Sequence, residues 1–130
     1  MRGVAIEARL CAEDPEAGFR PAPGRIVRFD APLGPRVRVD SGVVAGCGVP
    51  AAFDSLIAKV IATGATRKEA RARLVAALRD FELVIEGGAS NRGFLIELLE
   101  SPEAQRAREE AEAAAAAADP LAPRPEKKTA

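Results

Sequence analysis

The sequence predicts an α+β fold: a mainly antiparallel sheet of short strands with two packing helices. Three observations predict it. Residues 4–11 show a strand-like alternation of faces and residues 36–40 alternate strictly, the period of a half-buried strand. Apolar residues recur at spacings of three and four over 70–81 and 94–99, the period of a helix with one buried face. Eleven Gly and ten Pro among 130 residues punctuate these runs and keep the strands short.

The first strand places Val4, Ile6, Ala8 and Leu10 on one face and Ala5, Glu7, Arg9 and Cys11 on the other. Glu7 and Arg9 thus share a face about 6.5–7 Å apart by strand rise. On spacing alone they are an ordinary strand-face ion pair, the kind that contributes little. Residues 12–18 read as a short helical turn or loop opened by Asp14-Pro15. Pro21 and Pro23 flank a turn in which Gly24 supplies positive φ. Arg25 to Phe29 forms a second strand, and Ala31-Pro32-Leu33-Gly34-Pro35 a loop, because proline has no place in a central ladder. In Arg36-Val37-Arg38-Val39-Asp40 the valines face inward and the charges face water. Ser41-Gly42 turns the chain into Val43-Val44-Ala45, and Gly46, Gly48 and Pro50 break up the next segment.

Residues 53–63, Phe53 to Thr63, make the strongest strand, β-branched and apolar on both faces and therefore central. Lys59 is its odd member: its head reaches an edge or solvent, or serves a site. Thr66 with Glu69 forms a capping box opening a helix whose stripe is Ala70, Leu74, Ala77, Leu78 and Phe81. Leu83-Val84-Ile85 is a short strand ended by Gly87-Gly88. Ser90 caps a second helix, 91–100, with Phe94, Leu95, Leu98 and Leu99 as its buried stripe. Pro102 stops or restarts that helix. Residues 103–118 are rich in Ala, Glu and Arg and strongly helix-forming, and 119–130 are a Pro- and Lys-rich tail or linker. The expected division is residues 1–101 as one domain and 102–130 as an Ala-rich helix with its tail.

Composition excludes several classes of function. Nineteen basic residues balance nineteen acidic ones, so no net field draws in nucleic acid or anionic lipid, and five Phe give no stacking platform. There is no histidine, which removes histidine general bases, Ser–His triads and His-ligated zinc. Cys11 and Cys47 lie too far apart for a metal motif, and no run is long enough to span a membrane. A reduced, cytoplasmic compartment is the default. Gly46-Cys47-Gly48 lacks the lysine and third glycine of a phosphate cradle and reads as a turn. Cys47 has no base beside it and reads as a core or loop residue. Asp54-Ser55 at the start of a strand reads as a cap or loop hydrogen-bonder.

Four ordered blocks add what these motifs lack: Ala5 to Pro15, Phe19 to Phe29, Phe53 to Ile61, and Thr66 to Ala77 with Asn91 after it. Together, over about residues 2–100, they resemble the C-terminal domain of biotin carboxylase. The resemblance implies an ATP-dependent ligase that activates bicarbonate as carboxyphosphate and carboxylates N1 of biotin held on a carrier protein. Arg9 matches the family arginine set against the ureido oxygen of biotin. Asp54 matches a family aspartate near that pocket, orienting Arg9 or the ureido group, and Glu7 reads as an orienter of Arg9 or of a neighbouring strand. Arg38 matches an arginine of a dimer-interface hairpin, where Pro35 stands in the place of the family's Phe. Departures include Val4 where the family commonly has His, and Phe53 where it has Tyr.

The implied cofactors are biotin on its carrier and Mg-ATP in the full enzyme. The implied partners are an ATP-grasp remainder, a biotin carboxyl carrier domain, a carboxyltransferase and a second copy in a homodimer. The ATP-grasp lysines, glutamate metal ligands and catalytic base of the family have no counterpart here, so the chain reads as a fragment inactive by itself. The alternative is a truncated, non-catalytic binding module that associates with a carboxylase subunit or other protein.

Overall fold

The computed structural model describes residues 2–50 and 54–118. Phe53 and the tail from 119 to 130 lie outside the described residues. The chain divides into two units, Met1–Leu99 and Glu100–Ala130.

Among its described residues the first unit forms three small antiparallel sheets. Strand β1 (Val4–Cys11) pairs with β7 (Leu56–Gly64), which pairs on its other side with β5 (Val37–Ser41). The apolar run after residue 55 is therefore central, as its composition predicts. Strands β2 (Glu13–Asp14) and β3 (Arg20–Pro21) form a two-stranded pair. Between them one 3-10 turn, Pro15–Ala17, is capped by the Asp14 carboxylate on the Glu16 N–H and closed by Gly18 at φ 70°. Strand β4 (Gly24–Asp30) is flanked by β6 (Gly48–Val49) and β8 (Glu82–Glu86). β6 lies where the glycines were expected only to break up the chain. Two residues suffice because Val49 is buried and the ladder is short.

Gly24 is required, but not for positive φ. A Cβ there would stand 2.4 Å from the Glu86 carbonyl oxygen and 2.9 Å from the Gly88 nitrogen. The turn demands close approach of two backbones, which is glycine's other use.

Helix α1 (Arg67–Asp80) covers the inner face of β1 and β7. Its buried residues Ala70, Leu74, Ala77 and Leu78 are the predicted stripe, and fully buried Phe81 follows it. The Thr66 hydroxyl accepts the Glu69 N–H at 3.2 Å, and the Glu69 carboxylate reaches back to the Ala65 N–H at 2.8 Å. These helix residues meet Ile6, Ala8 and Leu10 of β1 and Val60 and Ala62 of β7 in one core. Phe81 stacks edge-on against Phe29 of β4 at 5.1 Å, joining the third sheet to that core.

Helix α2 (Arg92–Glu100) corrects the expected stripe. Leu95, Ile96 and Leu99 pack against the core, whereas Phe94 and Leu98 are 37% and 44% exposed. Spacings of three and four fit both rows, and the core reaches only one. Phe94 meets Phe19 at the surface, ring centroids 4.8 Å apart.

The second unit contains α3 (Pro102–Ala118), all of it unburied. The Ser101 hydroxyl accepts the Ala104 N–H at 3.3 Å, and Pro102 takes the first helical position, so this proline restarts the chain as a helix. An Arg108–Glu112 pair at 3.0 Å supports its exposed surface.

Candidate functional site

The side of the β1-β7-β5 sheet away from α1 collects the charged residues of three strands. Register fixes them. Glu7 lies opposite Ile61 and Ile61 opposite Arg38, while Arg9 lies opposite Lys59 and Lys59 opposite Asp40. Directly paired residues share a face. Glu7, Arg9 and Arg38, singled out separately along the sequence, therefore lie on one surface, with Lys59 between Arg9 and Asp40.

Arg9 and Asp54 come together across 45 positions of sequence. The Arg9 Nη2 is 3.8 Å from the Asp54 Oδ2, with both side chains more than half exposed. This is an ion pair, too long for a hydrogen bond. Among the described residues it is the only charged contact of the Arg9 side chain, so its N–H donors remain open to an incoming acceptor. Asp54 is itself held: its Oδ1 accepts the Leu56 N–H at 3.1 Å. The next residue is tied down twice. The Ser55 carbonyl accepts the Ala12 N–H at 2.8 Å, and the Ser55 hydroxyl donates to the Glu13 carboxylate at 2.9 Å. Glu13, in the sequence no more than a member of a motif block, pins the loop that carries Asp54.

Glu7 is exposed on the same face, and among the described residues it makes no hydrogen bond or ion pair with Arg9. Spacing does not forbid one, since Arg28 and Arg38 each meet a carboxylate two positions along their own strands. Arg9 turns to Asp54 instead. Arg38 donates from Nε to the Asp40 Oδ1 at 2.8 Å, and this bond holds its already high pKa higher still. The guanidinium is 74% exposed, so the pair orients it without burying it.

Cys11 departs from alternation. It shares the face of Arg9 by count, yet it is buried. The β1–β7 register slips there: Leu10 pairs with Ala58, but Cys11 pairs with Leu56. Burial raises the pKa of its thiol, and the nearby Glu13 carboxylate adds to the rise. It is held as a thiol, not poised as a nucleophile. Cys47 is half-buried beside the turn at Gly46.

Asn91 has a structural role that its sequence context does not reveal. It stands just before α2, where its carbonyl accepts the Leu95 N–H at 3.0 Å and so begins the helix. Its side chain turns back to β1, accepting the Cys11 N–H at 2.9 Å and donating to the Arg9 carbonyl at 3.1 Å. Ser90, the expected cap, reaches only the Arg92 N–H, at 3.4 Å. No local pattern announces a contact spanning about eighty residues.

Residues 7–114 match the family described as the biotin carboxylase C-terminal domain. The chain belongs to that family. It is 46% identical over 103 residues to the biotin carboxylase of Nostoc sp., covering 79% of this chain and 23% of that protein. It is 50% identical over 91 residues to the biotin carboxylase of Allochromatium vinosum, covering 70% of this chain and 20% of that protein. Among solved structures, the biotin carboxylase domain of Hydrogenobacter thermophilus 2-oxoglutarate carboxylase, a dimer with MgADP, ADP and bicarbonate, superposes with a TM-score of 0.75. It is 33% identical, over 79% of this chain and 22% of that one. The chain thus spans about a fifth of the length of these biotin carboxylase relatives.

Among the described residues no three His, Cys, Asp or Glu side chains come together to hold a metal ion. No described helix is long and apolar enough to cross a membrane.

Proposed function

We propose that this biotin carboxylase C-terminal domain forms one wall of the carboxylation site in an ATP-dependent biotin carboxylase and presents Arg9 to the ureido oxygen of carrier-bound biotin. The observation that carries the reading is the state of Arg9. Its guanidinium is half exposed on a sheet face and, among the described residues, engaged only by one carboxylate at 3.8 Å.

Loss of the N1 proton from biotin places negative charge on the ureido oxygen. A planar guanidinium already in position stabilises that charge as it develops, with no reorganisation at the moment of reaction. The strand supplies rigidity that a loop would not. Asp54 keeps the Arg9 head on the biotin side and holds it there between turnovers. Glu7 contributes charge to the same face as a support residue, acting at a distance. Arg38, fixed by Asp40 on the far strand, faces a second copy in a homodimer.

ATP and its magnesium belong, on this reading, to the ATP-grasp remainder of the enzyme. On this reading the isolated chain does not carboxylate biotin. The biotin carboxyl carrier domain brings the substrate to the Arg9 face, and a carboxyltransferase takes the product.

The test is Arg9→Ala in a complete carboxylase carrying these residues, assayed for biotin-dependent ATP hydrolysis. Removing one oxyanion donor lowers turnover by about 10²–10³. Turnover equal to the parent would dispose of the role of Arg9; ATP-dependent carboxylation of biotin by the isolated chain would instead dispose of its reading as one wall of a larger site.

A further inference from the structure

Asn91 is the one buried polar side chain among the described residues, 7% exposed. Its carboxamide lies along the edge of β1 that β7 does not occupy. Nδ2 donates to the Arg9 carbonyl at 3.1 Å, and Oδ1 accepts the Cys11 N–H at 2.9 Å. The Asn91 backbone N–H donates to the Cys11 carbonyl at 3.1 Å. One residue thus takes the part of a neighbouring strand for the three-residue segment Arg9–Cys11.

The place matters because the opposite edge is irregular. The β1–β7 ladder slips between Leu10 and Cys11. Where register slips, the ladder no longer fixes peptide orientation, and side chains are re-aimed. Asn91 restores from one edge what is lost on the other. It is anchored in turn, since the next residue, Arg92, donates from Nη1 to the Leu78 carbonyl at 2.9 Å at the end of α1. The clamp needs a donor and an acceptor on one planar group. Aspartate keeps only the acceptor, and leucine of similar shape keeps neither.

We infer that Asn91 is a positioning residue for Arg9, acting through the Arg9 backbone and touching no reacting atom. The inference rests on the role proposed above for Arg9. Asn91 sets the direction in which the guanidinium leaves the strand, and thereby the alignment of its N–H donors with the charge that develops on biotin. Displacements on the order of 1 Å at a catalytic group cost up to about 10² in rate.

The experiment is a double-mutant cycle in a complete carboxylase carrying these residues. Asn91→Asp, which keeps the acceptor for Cys11 and loses the donor to Arg9, is combined with Arg9→Ala. Asn91→Asp alone lowers kcat by about 10-fold to 10²-fold, with the KM for biotin little changed. In the Arg9→Ala background it lowers kcat no further. An equal fall in both backgrounds overturns the inference while leaving the role of Arg9 standing. If Arg9→Ala alone leaves kcat intact, the proposed function fails and takes this inference with it.

Hydrogen exchange on the 130-residue chain gives a second readout that does not depend on turnover. The Cys11 amide is protected in the parent and exchanges freely in Asn91→Ala, while the Val60 amide in β7 keeps its protection. Unchanged protection of Cys11 in Asn91→Ala overturns the clamp itself.

Discussion

Arg9 and Asp54, from strand β1 and the approach to strand β7, stand 3.8 Å apart on the exposed face of the central sheet. Glu7, on the same strand as Arg9, does not pair with it. The carboxylate that steadies the guanidinium thus comes from a distant block of sequence, and three hydrogen bonds around Ala12, Glu13, Ser55 and Leu56 bring it there.

Asp54→Asn separates charge from shape. The amide keeps the oxygen that accepts the Leu56 N–H and loses the charge facing Arg9. Because the pair is exposed, stability in urea changes by less than about 1 kcal/mol. Turnover of the complete enzyme falls further in Asp54→Asn than in Glu7→Gln. The reverse order would show that the support comes from the same strand.

The Gly24 turn makes a sharper stability prediction. Gly24→Ala forces a methyl against the Glu86 carbonyl and destabilises by about 1–3 kcal/mol, as overpacking does. Gly42→Ala meets nothing within 4 Å and is neutral or stabilising by up to about 1 kcal/mol. Urea midpoints of the two variants measured side by side decide it; equal midpoints would contradict the close approach.

Phe81 is fully buried and Phe94 is 37% exposed despite similar helical spacing. Phe81→Ala removes a fully buried ring and costs about 3–5 kcal/mol. Phe94→Ala breaks a surface edge-to-face pair with Phe19 and costs about 0.5–1.5 kcal/mol. Equal losses in chemical denaturation would return Phe94 to the core.

The α1 cap predicts a pH dependence. Glu69 sits below the usual carboxylate value, chiefly because it accepts the Ala65 N–H and further because Arg73 and Arg36 lie near. A depressed pKa means that the folded state binds the proton less readily than the unfolded chain. Its stabilisation is full above the unfolded value near 4.5 and is lost as pH falls through the folded one. The urea midpoints of parent and Glu69→Gln therefore converge as pH is lowered from about 5 to about 3. A gap that stays constant over that range would remove Glu69 as the cause.

These contrasts show which features were legible in the sequence. β7 was, because an apolar, β-branched run favours a position between two strands, and it lies between two partners. The start of α1 was, because Thr66 and Glu69 act within one turn. Gly24 was legible as a turn residue but not for its reason, since close approach depends on Glu86 and Gly88, about sixty positions away. In α2, periodicity named two rows of apolar residues and could not tell which one the core would meet. At the site, alternation placed Glu7 and Arg9 together, and resemblance pointed to Asp54 and Arg38. Asn91 was visible only as a member of a matching block; its role stayed hidden because its hydrogen bonds join β1 to the start of α2, and only the folded backbone brings them together.

The most direct measurement of the central claim is the split between kcat and KM for biotin in Arg9→Ala and Arg9→Lys variants of a complete carboxylase carrying these residues. Loss of a donor used as charge develops lowers kcat and kcat/KM together, by about 10²–10³ for alanine, with KM little changed. Lysine restores part of the loss, because it keeps the charge without the planar fork. A rise in KM at constant kcat would contradict the account: Arg9 would then hold biotin without stabilising the charge that forms on it.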